Sequence, residues 1–422
     1  MANYLFLLGM YYPRSSANGV CCKNIVDELI KQGDKVTCVV NSDITRANKE
    51  TIDGATIYRV KPRLYYRMLE WCHYHKKSRF KNIVSRAAII INKIQLFIMS
   101  SKWPLVSPAY TSRFYKKAKE LCKKETYDAV ISVYTPVDTL YAGYLLKKEI
   151  PTVRFIPYYL DALAGGWGPT KWSKDKIDKA TRDLENKVNA IADVVISMKS
   201  SESYHCSNPL NNADKFRRVF LDVPTFVENK DCYDTALDND KGNSPIKVLY
   251  SGSIHFPDRD PRPLLNHFLR ICASHNVELL FMGSNNCQTI FDEYSEKSNG
   301  KIRVIGQFSH SEAMQKVKEA DVLVNIGSSN PNTVTCKIFE YMQFRKPIIS
   351  TYTIENEPAI AYLSEYGGSF FLDERPESDF NRINSELADF VTGRKPVEEK
   401  DYANIYYLNT PQAFIDTLKS KS

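Results

Sequence analysis

Short apolar segments alternate with helical patterns along much of the chain, and this alternation restricts the fold more than any other feature. From Ile246 onward, strand-like runs at 246–251, 277–282, 301–305, 321–325 and 347–350 are separated by helical segments. A spacing of about 25 residues per unit is typical of parallel strands joined by right-handed helical crossovers. The second half of the chain is therefore predicted to form a parallel α/β sheet.

The amino-terminal half shows the same alternation with a longer interruption. The apolar run Asn3–Leu8 ends at Gly9, is followed by a loop and a helical pattern, and leads to a second run, Lys35–Val40. Continuous apolar runs of this kind are typical of strands buried on both faces of a parallel sheet. Further strands are predicted at residues 56–60, 128–133, 152–156 and 193–197.

The length of 422 residues favours two such domains rather than one. We place an amino-terminal domain at 1–227, an acidic and turn-rich linker at 228–244 and a second domain at 245–400. Within residues 401–422, Thr410 and Pro411 are N-cap and first-turn signals for a terminal helix. We expect this helix to pack back on the amino-terminal domain.

Several features favour a cytoplasmic protein. The sequence has no apolar stretch long enough to span a bilayer, and its first residues, MANYLFLLGMYYP, lack the basic flank and cleavage site of a signal peptide. Its ten cysteines are scattered without the CxxC spacing of zinc sites. We therefore expect reduced thiols and no metal site.

Residues 62–124 interrupt the α/β pattern with a basic, aromatic, helical segment. Residues 59–124 contain 17 Lys and Arg but only two Glu, whereas the whole chain has a net charge of +8. On a helical wheel one apolar stripe is formed by Ile83, Ala87, Ile90, Ile94 and Phe97. Three cations spaced by seven residues border it: Arg79, Arg86 and Lys93. The flanking aromatic residues are Tyr65, Tyr66, Trp71, Tyr74, Trp103 and Tyr110.

Two interpretations of this segment are open. An apolar stripe with snorkelling cations and flanking aromatic residues is typical of a helix in the interface of an anionic membrane. Alternatively, the stripe packs on the domain core and the cations are solvated. Nucleic acid is disfavoured as a partner, because no helix-turn-helix, zinc module or RNP-like aromatic pair accompanies the charge.

The segment 328–350, SSNPNTVTCKIFEYMQFRKPIIS, carries the densest chemical signal. A strand runs into a polar loop, and a helix is predicted to begin near Val334 or Thr335. Its free N–H groups suit a diphosphate, and Lys337 in the first turn adds a positive charge. Glu340 lies three residues later on the same face, where a carboxylate can accept hydrogen bonds from a ribose diol. An ordinary surface ion pair is the alternative interpretation.

The string TCKIFEYMQFRKPII resembles the PSKIFEYMAxGKPII signature of family-4-like retaining glycosyltransferases of the GT-B fold. Four more segments are similar to the family in the same order: YYPRSSANG, ADVVISMKSS, KVLYSGSIHFPDRDPRPLL and EADVLVNIG. The resemblance implies two Rossmann-like domains whose parallel sheets face each other across a cleft. It further implies a nucleotide-sugar donor, retention at the anomeric carbon and no metal cofactor.

The resemblance also implies roles for individual residues. The implied donor-binding residues are Asn18, Gly19, Gly252, Ser253, Gln307, Asn332, Thr335, Cys336 and Glu340. Two cations, Lys337 and Arg259, would stabilise the leaving diphosphate in place of a metal ion. Arg262 is the alternative to Arg259, and Gly283 is interpreted as structural.

The sequence departs from the family at two places. Asn332 stands where the family has an acidic residue that contacts the transferred sugar, and the segment RFIPYYLDALAGG lacks the histidine that many members carry. Asp161, beside Tyr158 and Tyr159, is the polar group that could orient the acceptor or act as base. A structural role for Asp161 is equally open.

These observations favour an enzyme that transfers a hexose to a hydroxyl of a glycan or lipid-linked acceptor. The expected setting is the synthesis of surface polysaccharide, lipopolysaccharide or capsule at the inner face of the plasma membrane. Two alternatives are a nucleotide-sugar epimerase of similar two-domain form and a catalytically degenerate, membrane-docked assembly partner. The sequence does not identify the donor sugar or the nucleobase.

Overall fold

The structure is a computed structural model that describes residues 1–12, 16–163, 168–169, 171–207, 217–227, 244–308, 310–327, 334–398 and 400–420. The chain divides into two compact units, the first comprising Met1–Pro224 with Leu408–Ser422 and the second Thr225–Tyr407. The predicted linker falls outside the described residues except for Ser244. No helix in these described ranges is long and apolar enough to cross a membrane.

The first unit is built on an eight-stranded sheet with the order β3-β4-β2-β1-β5-β6-β7-β8. All neighbouring strands are parallel except β3 and β4, which form an antiparallel pair. The strands are β1 (Asn3–Leu7), β2 (Lys35–Asn41), β3 (Lys49–Ile52), β4 (Ala55–Val60), β5 (Ala129–Tyr134), β6 (Phe155–Tyr159), β7 (Val194–Met198) and β8 (Arg217–Leu221).

Helices cover this sheet because the strands are almost entirely apolar and buried on both faces. The helices are α1 (Ala17–Lys31), α2 (Leu64–Tyr74), α3 (Lys81–Ile98), α4 (Pro108–Lys124), α5 (Val137–Glu149), α6 (Lys174–Asn189) and α7 (Glu202–Cys206). The predicted basic segment thus forms α2, α3 and α4.

The second unit contains a six-stranded, fully parallel sheet with the order β11-β10-β9-β12-β13-β14. The strands are β9 (Ile246–Ser251), β10 (Val277–Met282), β11 (Ile302–Gly306), β12 (Val322–Ile326), β13 (Ile348–Tyr352) and β14 (Ser369–Asp373). The helices are α8 (Arg262–Ser274), α9 (Gln288–Lys297), α10 (His310–Glu319), α11 (Lys337–Met342), α12 (Pro358–Tyr366), α13 (Phe380–Thr392) and α14 (Tyr402–Ile405).

The terminal helix, α15 (Pro411–Lys419), belongs to the first unit, where Phe414 packs against the ring of Tyr158 at 4.8 Å. Thr410 caps α15 by accepting a hydrogen bond from the Ala413 N–H. The chain returns to the first unit at Leu408 rather than at residue 401, and the first unit ends at Pro224 rather than at 227.

The strand orders identify where a ligand would bind in each unit. When the strands of the second unit are numbered along the chain, their order across the sheet is 3-2-1-4-5-6, which is the doubly wound Rossmann order. The parallel strands of the first unit begin with the same order. The order reverses between β1 and β5 and between β9 and β12, and ligands bind at the carboxyl ends of such strands.

The fold class of two parallel-sheet α/β units is confirmed, and most strands lie where they are predicted. The strand predicted at 152–156 is wrong, because β6 begins only at Phe155 and the Val153 N–H closes a turn on the Ile150 carbonyl. Three strands are not predicted. One of them, β3, is a polar edge strand with the sequence KETI, so it lacks the apolar run of a buried strand.

Candidate functional site

Backbone turns meet closely at the carboxyl end of β9. The Gly252 N–H donates to the Met282 carbonyl, and the Gly283 N–H donates to that of Gly306. Gly283 has a φ of +139°, and a Cβ built on it would lie 2.0 Å from the Gly252 carbonyl oxygen. Only glycine fits there, which explains Gly283 as a structural residue.

Arg259 reaches back to this turn. Its Nη1 lies 3.5 Å from Tyr250 Oη and 3.4 Å from the Ser253 carbonyl oxygen. The guanidinium of Arg262 instead binds Asp260, with Nη2 2.6 Å from Oδ2. Of the two candidate cations, Arg259 is therefore the one at the end of β9.

The helix α11 is fastened to the same strand. Tyr341, which is fully buried, accepts a hydrogen bond from the Ser251 N–H at 2.9 Å and donates one to the Ser251 carbonyl at 3.2 Å. Sequence reasoning missed this role, because the tyrosine within KIFEYM has the pattern of an ordinary core residue. The contact fixes the face of α11 that carries Lys337 and Glu340.

Lys337 and Glu340 form an ion pair with 3.0 Å between Nζ and Oε2. The Glu340 side chain is 11% exposed and that of Lys337 is 34% exposed. Burial raises the pKa of Tyr250, while the positive charges of Arg259 and Lys337 act in the opposite direction. Arg259 contacts the Tyr250 hydroxyl directly, whereas the Nζ of Lys337 is bound to Glu340.

The predicted start of this helix is wrong. The helix α11 begins at Lys337 and has only six residues, so the aligned peptide dipoles are few. Thr335 Oγ1 accepts a hydrogen bond from the Lys337 N–H at 3.4 Å, and Cys336 is the N-cap. Positive charge here comes from the side chains rather than from a long helix.

Three further predicted donor residues belong to this unit: Ser253, Gln307 and Asn332. Ser253 joins the turn, with its Oγ 2.8 Å from Ser284 Oγ. Gln307 is exposed and directly follows Gly306, whose carbonyl accepts the hydrogen bond from the Gly283 N–H, and its role in donor binding stays a prediction. Asn332 lies outside the described residues.

A buried carboxyl group follows the unpredicted strand β14. Thr351 Oγ1 accepts a hydrogen bond from the Gly327 N–H at 3.3 Å, and the Thr351 side chain also bonds to Glu374. Burial raises the pKa of Glu374 to about 8. The carboxyl ends of β12, β13 and β14 are thereby linked through a glutamic acid that holds a proton at neutral pH.

This proton should appear in the pH dependence of stability. Because the ordinary pKa of glutamate is about 4.5 and that of folded Glu374 is about 8, the folded chain retains a proton that the unfolded chain loses. The free energy of unfolding should therefore fall as the pH rises from 5 to 8, by at most about 1.4 kcal/mol per pH unit. Urea unfolding of Glu374→Gln should lack this slope, and the exposed Glu377→Gln should keep it. Equal slopes in both would contradict the assignment.

In the first unit the start of α1 contacts the segments at the ends of β5 and β6. Asn18 Nδ2 donates to the Tyr134 carbonyl at 3.1 Å and to Asp161 Oδ2 at 3.4 Å. Asp161 is an exposed residue, but desolvation of its carboxyl group raises its pKa more than the Asn18 hydrogen bond lowers it. The Gly19 N–H donates to Ser16 Oγ, the cap of α1, at 3.3 Å.

The two tyrosines beside Asp161 are core residues and not open polar groups. Tyr158 is fully buried against Phe414. Tyr159 is fully buried too, and its hydroxyl donates to Asn189 Oδ1 at 2.9 Å. Both side chains are thereby committed to packing, so neither is an open polar group beside Asp161 and Asn18.

A cavity of about 270 Å³ opens at the strand reversal of the first unit. Its polar lining includes Asn41, Arg63, Tyr110 and Asp138. Asp138 Oδ1 accepts a hydrogen bond from Thr111 Oγ1 at 2.7 Å, and burial raises the pKa of Asp138 to about 6. Sequence reasoning missed Asn41, Arg63 and Asp138, although a carboxyl group in the first turn of the helix that follows a buried strand, as Asp138 is in α5, is a usable signal.

Three of the aromatic residues assigned to the flank of the basic helix lie elsewhere. Tyr110 is fully buried and stacks edge-on against Phe114. Tyr66 and Trp103 line the cavity. Tyr66 in α2 and Trp103 after α3 line one cavity together with Tyr134 at the end of β5, and a helical wheel of one segment does not reveal such contacts.

The apolar stripe of α3 faces solvent. Ile83, Ile90, Ile94 and Phe97 are among the exposed large apolar residues, and Arg79, Arg86 and Lys93 are exposed as well. The interpretation that this stripe packs on the domain core is therefore wrong. Docking on a membrane stays a prediction.

No protein-family model matches the sequence, and no curated protein matches it either. Solved structures match over nearly the whole chain. An α,α-trehalose-phosphate synthase from Burkholderia xenovorans has a TM-score of 0.61 at 10% identity, with 100% of both chains covered. The sucrose-phosphate synthase of Thermosynechococcus elongatus has a TM-score of 0.56 at 13% identity, covering 99% of this chain and 95% of that one. The lipopolysaccharide outer core galactosyltransferase WaaB has a TM-score of 0.56 at 12% identity, with 99% of each chain covered. The chain therefore has the GT-B fold that these transferases share.

Proposed function

We propose that this chain is a glycosyltransferase that moves a hexose from a nucleotide-diphosphate sugar to an acceptor hydroxyl, with retention at the anomeric carbon. The observation that carries the proposal is that Arg259 contacts Tyr250 and Ser253 at the end of β9, while Tyr341 fastens the helix of Lys337 to Ser251 of the same strand. Glu340 lies beside Lys337. Trehalose-6-phosphate synthase bound to UDP-2-fluoroglucose and HepE bound to UDP and glucose share the fold, which supports a nucleotide-sugar donor.

The two cations suit the charge that develops in such a transfer. As the bond between the sugar and the diphosphate breaks, negative charge grows on the leaving phosphate. Arg259 can bind two phosphate oxygens through its planar guanidinium, and Lys337 acts as a point charge. Their positions are set before the reaction by Tyr250 and by Tyr341, so little reorganisation is needed.

Glu340 suits the ribose of the donor. Its carboxylate is held on α11, and its partner in the free chain is Lys337. A bound diphosphate would compete for Lys337, and the carboxylate would then accept hydrogen bonds from the two ribose hydroxyls. Donor binding thus exchanges one internal ion pair for contacts to both halves of the nucleotide.

The first unit suits the acceptor. Its cavity is lined by hydrogen-bonding groups, and Asn18 and Asp161 lie at the same edge of the sheet. Asp161 can orient the acceptor hydroxyl, while the departing phosphate can accept its proton. WaaB and WaaG, which are named for lipopolysaccharide synthesis, share the fold, and we extend a surface-glycan role to this chain.

Arg259 and Arg262 provide a matched pair of variants. Arg259→Ala should reduce the release of nucleoside diphosphate from the donor by about 10²-fold, because one of two cations at the leaving group is lost. Arg262→Ala should leave this rate nearly unchanged, because its guanidinium is bound to Asp260. A larger loss in Arg262→Ala than in Arg259→Ala would reverse the assignment. The assay uses purified chain and a panel of UDP-, GDP-, ADP- and dTDP-sugars.

The same incubation separates the transferase from its alternatives. An epimerase would convert the donor sugar without any acceptor. A degenerate assembly partner would bind no donor at all. A transferase should release nucleoside diphosphate slowly to water and faster when a sugar acceptor is added, and the product should retain the anomeric configuration by NMR.

A further inference from the structure

The outward face of α3 is a surface that neither candidate site uses. We define it by six residues: Ile83, Arg86, Ile90, Lys93, Ile94 and Phe97. Its apolar side chains are 64%, 57%, 53% and 67% exposed for Ile83, Ile90, Ile94 and Phe97 in that order. Single exposed apolar residues are ordinary on proteins, but four along one helical stripe form a continuous apolar patch.

The opposite face fixes the orientation of α3. Ala88 is fully buried, and Asn92 Oδ1 accepts a hydrogen bond at 2.6 Å from Nη2 of the buried Arg63. Gln95 Nε2 donates to the Val106 carbonyl at 3.0 Å. A surface helix of a globular domain normally turns its apolar stripe toward the core. Ala88, Asn92 and Gln95 thus lie on the inward side of α3, while the apolar stripe is left exposed for a partner.

The surrounding charge indicates which partner. Arg86 and Lys93 are exposed along one border of the stripe, within a segment of 17 Lys and Arg and two Glu at 59–124. Of these glutamates, Glu70 is buried and Glu120 is paired with two lysines. Such a surface repels a second copy of itself and attracts an anionic one. Apolar side chains beside exposed cations are typical of helices that lie in the interface of an anionic bilayer.

We propose that the outward face of α3 docks the chain on anionic phospholipid bilayers. The four apolar side chains enter the boundary between headgroups and acyl chains, and Arg86 and Lys93 contact lipid phosphates. The docking surface belongs to the first unit alone. It does not depend on the donor site of the second unit.

Sedimentation with lipid vesicles tests this surface. The full chain should bind vesicles of mixed phosphatidylglycerol and phosphatidylcholine, bind phosphatidylcholine alone weakly, and lose affinity as salt is added. The double variant Ile90→Gln, Ile94→Gln should lower the partition coefficient at least about tenfold, because glutamine keeps the helix but removes apolar contact. The double variant Arg86→Glu, Lys93→Glu should lower it at least about 25-fold.

Two substitutions in the second unit are the matched controls. Ile405 is 43% exposed, and Lys395 is exposed as well. Ile405→Gln and Lys395→Glu therefore make the same kinds of substitution on the surface of the second unit, and they should leave vesicle binding unchanged. Unaltered thermal unfolding of the α3 variants shows that they fold. Absence of binding to phosphatidylglycerol vesicles, or equal losses in control and α3 variants, would overturn the proposal. The proposal would also be overturned if the wild type were a dimer, the Ile90→Gln, Ile94→Gln variant were a monomer, and the two bound vesicles equally well.

Discussion

Replacing Lys337 with alanine is expected to reduce the turnover of the nucleotide-sugar donor by about 10²–10³-fold. Lys337 lies on the helix that Tyr341 fastens to Ser251, and Arg259 contacts Tyr250 at the end of the same strand, where the leaving diphosphate is proposed to bind. Without Lys337, charge that develops on the phosphate is stabilised by Arg259 alone, and the barrier rises. The rate of nucleoside diphosphate release at saturating donor measures this effect on kcat.

This loss can be separated from a loss of stability. The Lys337–Glu340 ion pair spans three residues of a short helix and is partly exposed, and such pairs contribute roughly 0.2–0.5 kcal/mol. The urea midpoint of Lys337→Ala should therefore stay close to that of the wild type. Lys337→Arg keeps the positive charge and should retain part of the turnover. Full turnover in Lys337→Ala would refute the role of this cation.

Replacing Glu185 with alanine is expected to destabilise the first unit by about 3–5 kcal/mol. Glu185 and His205 are both fully buried, with 2.7 Å between Glu185 Oε1 and His205 Nδ1. The Tyr204 hydroxyl donates to Glu185 Oε2 at 2.8 Å, and Arg218 Nη2 lies 3.8 Å from Oε1. One carboxylate thus joins α6, α7 and β8, and its removal leaves buried polar groups without their partner.

The pH dependence gives this cluster a second signature. Burial raises the pKa of Glu185, but the contacts with His205, Tyr204 and Arg218 together lower it more, so the net pKa lies below its usual value. The stabilisation is therefore present above the ordinary carboxyl pKa of about 4.3 and is lost as the pH falls through the folded value. Glu185→Ala should show a smaller change in this acid range.

The exposed Glu120 is the matched control for Glu185. Its partners, Lys117 and Lys124, lie on the same helix surface, so Glu120→Ala should cost less than about 1 kcal/mol. Urea unfolding followed by near-ultraviolet circular dichroism compares the two variants. Equal costs would show that the buried cluster does not hold the first unit together.

The strand pattern and the residues around Lys337 could be predicted because their signals lie close together in the sequence. The pair Lys337 and Glu340 is three residues apart, and the apolar runs of β9 and β10 are bounded by polar turns. The sequence already favours Arg259 over Arg262, and the contact between Arg262 and Asp260 is a further reason that no local pattern contains.

Other features depend on contacts between distant segments. The cavity brings together Asn41, Arg63 and Asp138 from three separate parts of the chain. The sequence pattern within any one of these segments does not indicate that they meet. The wheel of α3 identifies its stripe but not the side that faces the core. That orientation follows from Ala88 and from the bond between Arg63 and Asn92, which satisfies a polar group inside the unit.

Titration calorimetry of the full chain with nucleoside diphosphates and with pyrophosphate tests the proposed donor site most directly. One nucleoside diphosphate should bind the wild type, and Lys337→Ala should weaken the binding of both ligands about tenfold or more. Glu340→Gln should weaken the nucleoside diphosphate but not pyrophosphate, because the carboxylate is assigned to the ribose. Absence of binding by any nucleoside diphosphate, or affinities that neither substitution changes, would contradict a donor site built from Arg259, Lys337 and Glu340.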